Sequence, residues 1–105
     1  MEKTKHFNDR NYRQTLIDLM GGAGNVILTN VIDRGHKDGA ERFELTEKGI
    51  TYVYNNISNR LITILFTRVG QLTSRYGSEF NKLPISQQVR IRAYCREYEE
   101  KGLNV

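Results

Sequence analysis

"LITILFTRVGQLTSRY", residues 61–76, decides the fold. Leu61 to Phe66 is almost wholly apolar, the composition of a strand buried on both faces. Arg68 follows at once, then Gly70, then Arg75 and Tyr76. Taken as "RLITILFTR", residues 60–68, this is predicted to be a fourth strand, central in its sheet, that runs out into cationic residues. Side chains alternate along a strand, so Ile62, Ile64, Phe66 and Arg68 share one side, and Leu61, Thr63, Leu65 and Thr67 the other. Arg68 then ends a core row, where its stem packs and its guanidinium reaches solvent.

Upstream, three shorter stretches complete a sheet. "NVILTNVI", 25–32, is rich in β-branched residues. "ERFELT", 41–46, alternates cleanly, with Phe43 and Leu45 on one face and Arg42, Glu44 and Thr46 on the other. "ITYVYN", 50–55, is a third strand. The links "EKG" and "NISN" are short, which predicts an antiparallel meander. "DRGHKDGA", 33–40, is a loop by its glycine and aspartate content. Before the sheet, Asn8 to about Met20 is predicted helical, with Phe7, Tyr12, Leu16, Leu19 and Met20 on its apolar side. The glycines of "GGAG", 21–24, stop it. After Gly77, a polar segment leads to Pro84 and a final helix capped by Ser86 and running to about Lys101. There Ile91, Tyr94, Cys95 and Tyr98 form a stripe, and Arg96–Glu100 an i,i+4 pair. The expected fold is α+β: an N-terminal helix, a four-stranded, mostly antiparallel curled sheet and a C-terminal helix.

A chain of 105 residues fits one domain, residues 1–105, with one modest core. It has no apolar run near the roughly 18 residues that a membrane helix needs, and its start does not read as a secretory signal, so the expected compartment is cytoplasmic and no membrane partner is expected. Cys95 is the only cysteine, which excludes an internal disulfide and reads as a packing residue. One Cys and two His make a poor zinc set, and His36 with Asp33 and Asp38 falls short of a divalent site. No metal and no cofactor is expected.

Net charge is +4, unevenly placed. Residues 60–92 hold Arg60, Arg68, Arg75, Lys82, Arg90 and Arg92 against the single Glu79. Such an excess suits a polyanion, and equally a solubilising surface. Arginine's planar fork holds two phosphate oxygens and stays charged. Tyrosine rings offer faces for stacked bases. Arg42, Tyr52, Tyr54, a threonine and Arg68 would meet on or near one surface if the strand register allows it. Tyrosine is favoured in strands in any case, so Tyr52 and Tyr54 also have an ordinary structural reading. His6 sits one helical turn before Arg10, a spacing that lets a histidine act as general acid or base beside a phosphate-holding arginine. "GGAGN" lacks the ending of a phosphate loop, and no carboxylate cluster suggests a two-metal nuclease.

Taken together, "HFNDR" with His6 and Arg10, the "ERF" strand with Arg42, the "VY" strand and "ITILFTR…RY" with Thr63, Arg68 and Tyr76 resemble the RelE-like toxins, in particular BrnT-type small ribonuclease domains. The resemblance covers about residues 5–77 and leaves 78–105 as a C-terminal helical extension. It implies a metal-independent endoribonuclease that activates a ribose 2′-OH to attack the adjacent phosphate. On that reading His6, Arg42, Arg68 and Tyr76 are catalytic. His6 is the general acid or base, the arginines hold the phosphate, and Tyr76 or Tyr54 stacks a base or moves a proton. Arg10, Tyr52, Tyr54, Thr63 and Arg75 would contact RNA, free or ribosome-associated. Two other expectations stand beside it. One is a non-catalytic module for RNA or single-stranded DNA. The other is a small phage or mobile-element protein that binds and inhibits a host protein; the expected protein partners are accordingly an inhibitor of this chain, on the toxin reading, or a host protein. For that last case Ile85, Val89 and Ala93 on the final helix offer a contact surface or a homodimer seam.

Overall fold

The computed structural model describes residues 5–33, 35, 37 and 39–104, with the backbone alone for 5–9. Helix α1 (Lys5–Leu19) leads into strands β1 (Val26–Ile32), β2 (Glu41–Thr46), β3 (Ile50–Asn55) and β4 (Leu61–Phe66). Helices α2 (Val69–Tyr76), α3 (Ser78–Asn81) and α4 (Ile85–Glu100) follow. The strands form one antiparallel sheet in chain order, so the expected α+β meander is the observed fold.

The register sorts the side chains into two faces. Asn30, Phe43, Val53 and Thr63 stand in one row, and Leu28, Leu45, Thr51 and Leu65 in the next row of that face. The other face carries Val31, Arg42 and Tyr54, then Thr29, Glu44, Tyr52 and Ile64, then Ile50 and Phe66. The first face packs under the C-terminal helices, where Phe43, Leu45 and Val53 meet Leu72, Tyr76, Phe80, Ile91 and Cys95. On the second face Ile50, Ile64 and Phe66 meet Ile17 of α1 and Tyr98 of α4. Helix α4 thus serves both sides of the sheet, passing round the β2–β3 turn. There Gly49 holds φ +79°, and a Cβ on it would lie 3.1 Å from the Cys95 Sγ. The Tyr98 hydroxyl donates to the Lys48 carbonyl at 2.6 Å, pinning the helix to that turn.

Several details differ from the sequence reading. The apolar strand β4 lies at the edge of the sheet, not its centre. It is apolar on both faces because helices cover both, and α1 also protects it: Arg10 Nη1 and Arg13 Nη1 donate to the Leu61 and Ile64 carbonyls at 3.0 and 2.7 Å. The chain beyond Phe66 is not a continuing strand but turns into α2. Val69, Leu72 and Tyr76 recur there at helical spacing, and the Arg68 and Val69 amides are capped by Gln71 Oε1 and Glu99 Oε2. Among the described side chains of α1 the buried one is Ile17, whereas Tyr12 and Leu19 are exposed; the Phe7 side chain lies outside the described residues. Pro84, not Ser86, takes the N-cap position of α4, and the i,i+4 ion pair there is Glu97–Lys101 at 2.6 Å.

Candidate nucleic-acid interface

Arg42 organises the end of the sheet where β3 turns into β4. Its Nε donates to Glu44 Oε2 at 2.9 Å, its Nη1 to Asn56 Oδ1 at 3.2 Å, and its Nη2 to Asn59 Oδ1. Its guanidinium lies 4.7 Å from the centre of the Tyr54 ring, its direct cross-strand neighbour. Asparagine suits this turn: Asn55 Oδ1 accepts from the Ile57 and Ser58 amides, and Asn59 adopts φ +60°. Tyr52 stands two residues along on the same face, half-buried beside α1. Burial, with Tyr54 and Asp18 nearby, pushes its phenol above the ordinary value, so Tyr52 is neutral and suited to contact rather than proton abstraction. Toward β1 the same face carries Thr29 and Val31, both exposed. Val31, Arg42, Tyr54 and Tyr52, rimmed by Asn56 and Asn59, make one surface, with Val31 and both asparagines exposed and Arg42 and the two tyrosines half-buried.

The other candidate residues fall elsewhere. Arg42 aligns with Leu61 through Tyr54, whereas Arg68 lies two residues beyond Phe66. The five-residue step from Leu61 to Phe66 spans roughly 16 Å of strand. Arg68 is tied to the C-terminal tail instead, its Nη2 donating to the Asn104 carbonyl at 3.3 Å, while Asn104 Nδ2 reaches the Phe66 carbonyl. Tyr76 is in the core, 3% exposed, so no base can stack on it. Its hydroxyl bonds Thr51 Oγ1 at 2.9 Å, and Thr51 bonds Thr67 at 2.7 Å. Burial pushes the Tyr76 phenol up to about 12 despite the Thr51 bond. Thr63 stands on the helix-covered face, opposite Arg42. Arg75 lies over the Phe43 ring at 4.8 Å, on that same covered face. Arg10 is spent on the Leu61 carbonyl, at the Arg42 end of β4. His6 lies on the first turn of α1, one turn before Arg10, and its side chain falls outside the described residues. His36 and Asp38 also lie outside them.

The four expected catalytic residues therefore do not share one hollow. Arg42 and the tyrosines of β3 do share a surface, as the register permitted. Sequence reasoning missed Asn56 and Asn59, which bond Arg42 beside Tyr54; the signal available was the asparagine-rich turn "NNISN" facing the "ERF" strand across one strand. Two hollows flank the fold. One, about 740 Å³, opens at the same turn but on the opposite row, with Glu41, Asn55, Ile57, Arg60 and Ile62 in its walls. The other, about 380 Å³, lies between α1 and α4 and is walled by Leu16, Met20, Phe66, Tyr94 and Tyr98. Neither is lined by Arg42, Arg68 or Tyr76. No described helix is long and apolar enough to cross a membrane.

Comparison with protein-family models, curated proteins and solved structures finds no match to this chain. The likeness to RelE-like toxins accordingly rests on the short motifs quoted above.

Proposed function

We propose that this chain is a binding module for single-stranded nucleic acid that works through the Arg42 and Tyr54 face of its sheet and carries out no catalysis there. One observation supports this reading above the others: the Arg42 guanidinium lies over the Tyr54 ring, 4.7 Å from its centre, with Tyr52 on the same, partly exposed sheet face. An exposed sheet bearing aromatic rings takes bases by stacking, and an adjacent guanidinium takes the phosphate between them. The amides of Asn56 and Asn59 add hydrogen-bonding groups at the rim. Glu44 beside Arg42 tempers the local positive charge, so the expected affinity is modest and the surface engages few phosphates.

The test is fluorescence anisotropy with labelled oligo(U) and oligo(dT) over a salt series. Tyr54→Ala should weaken binding by about 1–3 kcal/mol, the worth of one stacked base. The salt slope should be shallow, about 0.7 per phosphate neutralised on a single strand. Arg68→Ala and Tyr76→Phe should leave affinity unchanged, because both lie away from this surface. No anisotropy change with either oligonucleotide at low salt sinks the proposal.

A ribonuclease reading keeps one point in its favour: the first turn of α1, with His6, lies at the Arg42 end of β4. The same samples decide it. Cleavage of the oligo(U) in EDTA that disappears in His6→Ala would assign a catalytic role to His6.

A further inference from the structure

The two edges of the sheet are treated differently. On β4 two guanidinium groups from α1 occupy main-chain carbonyls, a charged guard against further pairing. On β1 no such guard is seen among the described residues. Its seven residues, "VILTNVI", contain no charge and no proline, and among the described residues no strand pairs with its outer side. Val26 and Val31 are 47% and 46% exposed. A long, uncharged, β-branched edge with unpaired amides and carbonyls is a template for another strand.

We infer that this edge is a homodimer interface, in which β1 of one copy pairs antiparallel with β1 of a second copy about a two-fold axis at Asn30. The strand's own sequence is the argument. In that register Leu28 of one copy lies opposite Ile32 of the other, and Thr29 opposite Val31. The faces are kept: Leu28, Asn30 and Ile32 stay on the helix-covered side and Thr29 and Val31 on the open side. No like charges are opposed. On the covered side the Arg75 guanidinium lies over the Phe43 ring, 4.8 Å from its centre, and the Arg75 carbonyl accepts a bond from Asn30 Nδ2 at 2.5 Å. The irregularity between Val26 and Leu28 ends the ladder, so the pairing spans residues 28–32. A foreign strand could bring charges into this register, whereas a second copy brings none. The seam is short, so its affinity belongs to the weak end of specific association.

Sedimentation velocity from micromolar to sub-millimolar protein tests this. The wild type should shift from monomer to dimer as concentration rises. Val31→Lys and Thr29→Lys combined in one chain oppose like charges directly across the seam at exposed positions, and this double variant should remain monomeric, with far-UV circular dichroism and melting temperature unchanged. Amide exchange of the wild type should slow across residues 28–32 with rising concentration. A wild type that stays monomeric throughout overturns the inference. So does a dimer that survives the double lysine variant, or one abolished only by Val89→Lys on the exposed stripe of α4.

Discussion

Tyr76 and Cys95 show how a residue's surroundings override its chemistry. A tyrosine after an arginine at a strand end reads as a ligand-facing ring. In the fold it is a buried phenol whose hydroxyl closes a chain through Thr51 to Thr67. Cys95, 0% exposed, is pushed by burial up to about 12, chiefly because the thiolate would lose its hydration, and Glu99 adds to the rise. Both groups hold their proton more tightly in the folded chain than in the unfolded one. Their contribution to stability is complete below the unfolded thiol value of 9.0 and is lost as pH rises through about 12. The thermal midpoint should therefore fall on alkaline titration above that value. Tyr76→Phe should flatten the loss above the ordinary phenol value of 10.0 while lowering stability near neutrality by about 0.5–1.5 kcal/mol. A midpoint independent of pH up to the unfolding limit would contradict this assignment. The role of Tyr76 was illegible in sequence because Thr51 and Thr67 reach it only through tertiary packing.

At the scale of elements, the strands and the two long helices were legible because each carries its own period. Helix α2 was not: eight residues give barely two turns of pattern, and Gly70 near its start reads as a break. What makes it a helix comes from elsewhere, including the Glu99 carboxylate of α4, 3.2 Å from the Val69 amide at its N-terminus. The edge position of β4 was likewise hidden, since strand composition reports covered faces and not lateral neighbours. The β2–β3 turn is a crowded joint between elements. Gly49 adopts φ +79° there, and α4 presses against it through Cys95 and Tyr94. Gly49→Ala combines left-handed backbone strain with this crowding and should cost about 1–3 kcal/mol, read as a lower urea midpoint with unchanged slope. An alanine variant as stable as the wild type would show that the turn relaxes freely.

For the molecule as a whole, the segment 78–104 contributes to the core. Phe80, Ile91, Cys95 and Tyr98 are all buried, against both faces of the sheet. Burying each large apolar side chain contributes about 1.5–3 kcal/mol, against a total stability of about 5–15 kcal/mol for a domain. A chain ending at Gly77 should therefore fail to fold cooperatively. A sigmoidal urea transition from that truncated chain would show that the first 77 residues fold alone. Pairing through β1 would set the sheets of two copies side by side, extending the surface of Arg42 and Tyr54 across the axis. Strand alternation, helix periodicity and turn composition are local properties, so the sequence alone determined the α+β class, the meander and the strands that carry Arg42 and the tyrosines. Which arginines meet was decided by register and by helices folding back from distant parts of the chain. Those contacts put Arg42 with Tyr54, sent Arg68 to the C-terminal tail and buried Tyr76, because side-chain partners separated by dozens of residues leave no periodic trace in the sequence.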